Sequence, residues 1–187
     1  MISPDTLLES RVGEVTPRSP RRLDPDHLAD HVDRLFRAAW ALCGDPHDAE
    51  DLVQETYARV LSRTRFMRRD DDLVYLLQVL RNTHISRLRH DGRRIAEVPL
   101  DEETETAPAQ DLGQPEFALE VAELFSAIAG LPEDSASALV AVDVVGLSYR
   151  EAAKALGIKQ ATLTTRLHRA RRRVVRALGS ERSSSRA

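Results

Sequence analysis

Residues 146–178, GLSYREAAKALGIKQATLTTRLHRARRRVVRAL, constrain the fold more than any other stretch, because they read as two helices joined by a tight turn. Ser148 with Glu151 three residues later forms a capping box: the serine oxygen accepts from the N3 amide and the carboxylate accepts from the N-cap amide. Ala152, Ala153 and Leu156 make a small apolar face, Gly157 supplies the turn, and Ile158 plugs it. Leu163, Leu167, Ala170, Val174 and Leu178 recur at steps of three and four, so they share one face of a second helix that starts near Gln160. The other face carries Thr164, Thr165, Arg166, His168, Arg169, Arg172 and Arg173, with no acid before Glu181. A merely solvated face usually alternates its charges, whereas a stripe of one sign suits phosphates. A helix, a short glycine turn and a second helix with a basic outer face make up the helix-turn-helix pattern. A plain helical hairpin with a solvated charged face is the other reading.

The rest of the chain agrees with an all-α fold. Aromatic residues make up only 4% of the 187, which disfavours a β-sandwich, and Ala, Leu and Val supply most of the apolar content. No apolar run reaches membrane-spanning length and the N-terminus lacks a signal-peptide core, so a soluble cytoplasmic protein is expected. Cys43, the single cysteine, excludes an intramolecular disulfide and reads as a small buried residue beside Ala39, Trp40 and Leu42. His27 and His31 stand one helical turn apart but lack further ligands nearby, so no metal and no cofactor is expected.

A net charge of −3 hides segregated blocks. Residues 24–56 hold nine acids and two arginines, residues 59–94 ten arginines and four aspartates. Residues 97–120 hold eight acids and no Lys or Arg, and the end from Leu147 holds eleven basic residues against two glutamates. Alternating acidic and basic blocks imply two nucleic-acid-facing parts and an acidic surface for a basic protein partner.

Taken in order, residues 1–23 read as a disordered arm. Asp24-Pro25 signals a helix start, followed by Leu28, Val32, Leu35, Phe36, Ala39 and Leu42 on one face up to Gly44. Asp45-Pro46 repeats the signal, with Ala49, Leu52, Val53, Thr56 and Val60 inward. A break follows over residues 63–72, and a third helix runs to about Leu88 with a basic run to Arg94. No strand pair is visible. The first domain is thus 24–95, residues 96–115 are a flexible acidic linker containing Pro99, Pro108, Pro115 and Gly113, and the second domain is 116–178. Residues 179–187 read as a disordered tail. The architecture is two small helical domains joined by that linker.

DPHDAEDLVQETYARVL (45–61) resembles the region 2 helix of bacterial sigma-70-family initiation factors, and YLLQVLRNTHISRLRHDGRR (75–94) resembles the promoter-melting part of that region. The stretch 146–178 resembles their region 4. Two domains and a linker with nothing between them match the extracytoplasmic-function (ECF) group. The resemblance implies core RNA polymerase and promoter DNA as partners, with docking on the β′ clamp helices and the β flap. It also implies an anti-sigma factor as a further partner, and no catalysis. By that resemblance, Asp48, Glu50, Asp51, Gln54 and Glu55 face the polymerase. Arg65, Phe66, Tyr75, Arg81, Asn82, Arg87, Arg89, Arg93 and Arg94 meet the −10 DNA, Tyr75 by stacking in place of the more usual Trp and Asn82 by reading a base edge. Tyr149, Arg150, Thr164, Thr165, Arg166, His168, Arg169 and Arg172 meet the −35 DNA.

The chain departs from the family pattern at Lys159, where a capping Ser is usual, at Ala161 for Gly, and at Thr164 for Lys or Arg. These changes point to a different −35 sequence. A helix-turn-helix regulator that works without polymerase stays open as an alternative, although it leaves the first domain unused. Asp70, Asp71 and Asp72 are the best case for an enzyme, and they come without a P-loop, a nucleophile elbow or a metal set.

Overall fold

Asp45 shows how this chain stops one helix and starts the next. Gly44 stands at φ 81°, a left-handed C-cap whose amide donates to the Trp40 carbonyl. Asp45 then turns outward, and its Oδ1 accepts from the amides of His47 (2.8 Å) and Asp48 (3.0 Å). Pro46 fills the first helical position, where no amide hydrogen is needed. A computed structural model describes residues 21–22, 28–62, 66–67, 72–94 and 115–184. Its helices are α1 (Val32–Cys43), α2 (Pro46–Leu61), α3 (Asp72–Arg94), α4 (Pro115–Ala129), α5 (Glu133–Leu139), α6 (Tyr149–Leu156) and α7 (Gln160–Ser184). A π-helical turn, Val140–Val144, continues α5.

Several boundaries differ from the sequence reading. Asp24-Pro25 lies outside the described residues; Leu28 and Ala29 are helical, and a turn through Asp30 and His31 leads into α1 at Val32. Arg21–Arg22 (β1) and Phe66–Met67 (β2) form a two-residue antiparallel pair, so the end of the expected arm touches the break between α2 and α3. The basic run 87–94 is helical, which carries α3 to Arg94, and α7 continues through the expected tail to Ser184. Neither run contains proline. Gly92 and Gly179 each cost only about 1 kcal/mol in a helix interior. Residues 96–114, the expected linker, lie outside the described residues.

The packing centres on α1. Leu35, Ala38, Ala39, Trp40, Ala41 and Leu42 are all buried. The stretch from Ala38 to Leu42 is buried all round and needs neighbours on every side, while Val32, Asp33 and Arg37 stay exposed. Here α2 and α3 cover one side, while α4 and the π turn cover another. Trp40 meets Phe125 of α4 edge-on, with ring centroids 5.1 Å apart. The two expected helical units are therefore present, but their buried side chains form one continuous core. A second seam joins α3 to α6, the first helix of the helix-turn-helix. Val32, expected inward, opens α1 and stays 40% exposed.

Leu80 is fully buried in α3. Leu80→Ala should lower unfolding stability by about 2–5 kcal/mol, read as a reduced urea midpoint with the helical circular-dichroism signal retained before the transition.

Candidate nucleic-acid and polymerase interfaces

The acidic face of α2 is where the sequence puts it. Asp48, Asp51 and Gln54 are exposed along one side of the helix, and Glu50 is half-buried. Glu55 is engaged from within the chain. Arg87 of α3 donates from Nε to Glu55 Oε2 (2.7 Å) and from Nη2 to the Asp51 carbonyl (3.0 Å), and Arg59 pairs with the other carboxylate oxygen. Burial pushes the Glu55 carboxyl up, but the hydrogen bonds from Arg87 and Arg59 outweigh it and hold it below the usual carboxylate range. A residue expected at the polymerase and one expected at DNA thus pair with each other.

Tyr75 and Asn82 come together. They line one cavity of about 260 Å³ with Arg59, Ser62, Val79 and Thr83, between the end of α2 and the outer face of α3. Two turns of α3 separate them, so both point the same way. Asn82 and Arg89 are exposed. Arg81 points instead to the second domain, donating from Nε to Ser137 Oγ (3.0 Å) and from Nη2 to Glu133 (2.6 Å). Phe66 lies in β2 with its side chain undescribed, Arg65 is outside the described residues, and Arg93 and Arg94 end α3 with undescribed side chains.

The helix-turn-helix forms as the sequence reads. The capping box is complete: Ser148 N donates to Glu151 Oε2 (2.9 Å) and Glu151 N to Ser148 Oγ (3.3 Å). The Ser148 hydroxyl also donates to Glu151 Oε2, and with the Ser148 amide it holds the Glu151 carboxyl below the usual range. Gly157 makes the turn at φ 65°, a conformation that strains any side chain. Leu163, Leu167, Ala170 and Val174 are buried. Thr164, Thr165, His168, Arg169 and Arg172 are exposed on the opposite face of α7, and Tyr149 and Arg150 are exposed at the start of α6. The hydroxyls of Thr164 and Thr165 donate back to Gln160 O (3.0 Å) and Ala161 O (3.1 Å). Arg166 is half-buried and meets Asp134 Oδ2 at 2.7 Å.

Two family models match this arrangement in order: sigma-70 region 2 over residues 28–94 and sigma-70 region 4 over residues 122–174. The ECF RNA polymerase sigma factor EcfG of Rhodopseudomonas palustris is 32% identical over 149 residues, covering 78% of this chain and 80% of that protein. The chain belongs to the sigma-70 family, in its ECF group. The ECF RNA polymerase sigma factor SigE of Mycolicibacterium smegmatis is 33% identical over 150 residues, which is 79% of this chain and 58% of that protein. Among solved structures, the sigma factor RpoE of Bartonella quintana, in complex with the anti-sigma factor NepR, aligns at a TM-score of 0.66 and 28% identity. That alignment covers 82% of this chain and 95% of the other. The protein is an RNA polymerase sigma factor for promoter-specific initiation. No helix among the described residues is long and apolar enough to cross a membrane.

Sequence reasoning missed several residues that shape this sigma factor. Arg171 holds Asp143 of the π turn with both Nε (2.9 Å) and Nη2 (2.6 Å) and so braces α7. Arg34 of α1 reaches Val145 O through Nε at 3.1 Å. Ser137, Glu133 and Asp134 take Arg81 and Arg166. No local pattern announces such pairs, because the partners lie far apart in the chain. His84 is buried in α3, with its Nδ1 3.8 Å from Cys43 Sγ. Burial lowers its pKa from the usual 6.5. Glu133 and Asp48 pull it back up, and Arg87 and Arg81 push it further down.

An imidazole whose folded pKa is depressed leaves stability intact above the unfolded value and erodes it as pH falls below that value. The urea midpoint should therefore drop between pH 6.5 and pH 5.5 more in the parent than in His84→Gln. Equal drops would show that His84 does not drive the loss.

Proposed function

We propose that this sigma factor divides its promoter work between the two helical units, with α2 docking on core polymerase, α3 opening the −10 element and α7 reading the −35 element. The observation that carries the reading is the cavity shared by Tyr75 and Asn82, which sets a stacking ring beside a base-reading amide. At about 260 Å³ it exceeds several-fold the roughly 30 Å³ share of one water and admits a planar heterocycle. Extruding a base costs a few kcal/mol. Stacking on Tyr75 and phosphate contacts from Arg89, Arg93 and Arg94 recover it. The exposed acids Asp48 and Asp51, with Gln54, offer a basic partner helix contacts on successive turns.

In the major groove, Arg169 and His168 reach base edges, while Tyr149, Arg150 and Arg172 hold phosphates. With their hydroxyl hydrogens turned back to the helix, Thr164 and Thr165 present methyl groups outward, and these suit thymine methyls. Thr164 in place of a basic residue then shifts −35 preference away from guanine. The Bartonella quintana relative was solved with an anti-sigma factor, and this chain takes a partner of the same kind.

Run-off transcription with core polymerase and a selected promoter tests the assignment. Asn82→Ala should reduce strand opening more than closed-complex binding. Arg169→Ala should weaken −35 recognition by about 1–3 kcal/mol and relax sequence choice at one position. Variants that open and select like the parent would contradict these roles.

A further inference from the structure

The chain ahead of α1 reaches across to the break between α2 and α3. Arg21 stands opposite Met67 and Arg22 opposite Phe66 in an antiparallel pair, and among the described residues these two strands are the whole sheet. A pair this short is marginal by itself. It is supported from outside. Leu28, six residues after Arg22, is buried, and its carbonyl accepts from the Tyr57 hydroxyl of α2 at 2.9 Å. Six residues span at most roughly 20 Å, so this anchor keeps β1 near the C-terminal half of α2. On the other strand, the Ser62 amide donates to Ala58 O (3.0 Å) at the end of α2, and Leu73 is buried at the start of α3. Each strand is thus tied to the helical core near at hand.

The pair also lies close to the cavity shared by Tyr75 and Asn82. Ser62 and Tyr75 both line that cavity, and β2 belongs to the stretch of chain that leaves Ser62 and returns to Tyr75. Phe66 is four residues from Ser62, so their backbones are at most about 14 Å apart. A strand pair adds roughly 5 Å, which puts the backbone of β1 within about 20 Å of the cavity wall. What holds Phe66 and Met67 therefore bears on the site that receives a base.

We propose that β1 is a positioning element of the −10 site: its backbone pairs with Phe66–Met67 and holds them in place between Ser62 and Tyr75 before a base arrives. The proposal rests on the −10 role given above for the cavity. Without β1, Phe66 and Met67 are joined only to α2 and α3, and capture of a base has to order them at a cost in conformational entropy. With β1 paired, that ordering is complete in the free chain. The benefit falls on strand opening and leaves −35 binding as it was. It comes from backbone hydrogen bonds, so it depends on the amides of residues 21 and 22 and not on their charge. Proline at both positions removes every donor that β1 can offer.

Two double variants of the full-length chain separate backbone from side chain. R21P/R22P loses the amide donors and the charges, whereas R21T/R22T loses the same charges and keeps a strand former at each position. Hydrogen exchange, read by mass spectrometry on the peptide that carries Phe66 and Met67, reports the pair in the free chain. Permanganate reactivity of −10 thymines with core polymerase reports opening, and closed-complex affinity reports the −35 grip. Exchange should be severalfold faster in the proline variant than in the parent and the threonine variant. Opening should fall severalfold in the proline variant alone, with closed-complex affinity alike in all three. Unprotected amides at both Phe66 and Met67 in the parent overturn the pair without any substitution, so a misfolded variant does not rescue it. Faster exchange with parental opening overturns the positioning role, and so does an equal loss of opening in both variants, which would assign the effect to charge. A parent that binds core polymerase but opens no promoter overturns the −10 reading itself, while exchange still reports the pair.

Discussion

The edge-on contact between Trp40 and Phe125 makes α1 a shared helix. Its other neighbours include α2 and α3, which leave little of its C-terminal half to solvent, while Asp33 and Arg37 stay exposed. Most of the rest follows from that placement. Once α4 lies on α1, the π turn after α5 comes within reach of Arg34, and α6 is laid along α3. The helix-turn-helix is therefore oriented by the first domain, although it contains its own core of Leu163, Leu167 and Ala170.

Charge is arranged on the same plan. Arg81, Arg87, Arg166 and Arg171 each meet a carboxylate within the chain. Arg89, Arg169 and Arg172 stand exposed. On the DNA roles proposed for them, Arg81, Arg87 and Arg166 would exchange a carboxylate for a phosphate. Exchange of one anion for another is close to balanced energetically, because both contacts are partly solvated and screened. Of these pairs, that of Arg81 bridges the two helical units, whereas those of Arg87, Arg166 and Arg171 each lie within one unit.

Much of this was legible in the chain itself. The capping box at Ser148, the Gly157 turn and the period of Leu163, Leu167 and Ala170 are local signals, and the structure reproduces each of them. Asp45-Pro46 marked α2 for the same reason. The closure of the domains was not legible from these signals, since it depends on pairs such as Arg81 with Glu133 that are 52 residues apart. One hint was present. The run Ala38–Cys43 is apolar at six successive positions, which a one-sided helix does not need and a helix buried all round does. The π turn at Val140–Val144 left no mark, because Val and Ala fit either helical form. Of the expected DNA residues, Tyr75 and Asn82, named from the family resemblance, line one cavity two helical turns apart on α3. The pairing of Arg87 with Glu55 joins two sets that the sequence had kept apart.

The promoter roles proposed above put α3 at the −10 element and α7 at the −35 element, so the units that pack together here must lie apart on the promoter. A distance between spin labels at Ala29→Cys and Arg173→Cys measures it directly, since both positions are exposed. The native Cys43 stays largely unlabelled, because burial, with Asp48 adding to it, pushes its thiol up to about 12. One short distance is expected in the free chain and a much longer one with core polymerase and promoter DNA. The same distance in both states would contradict it.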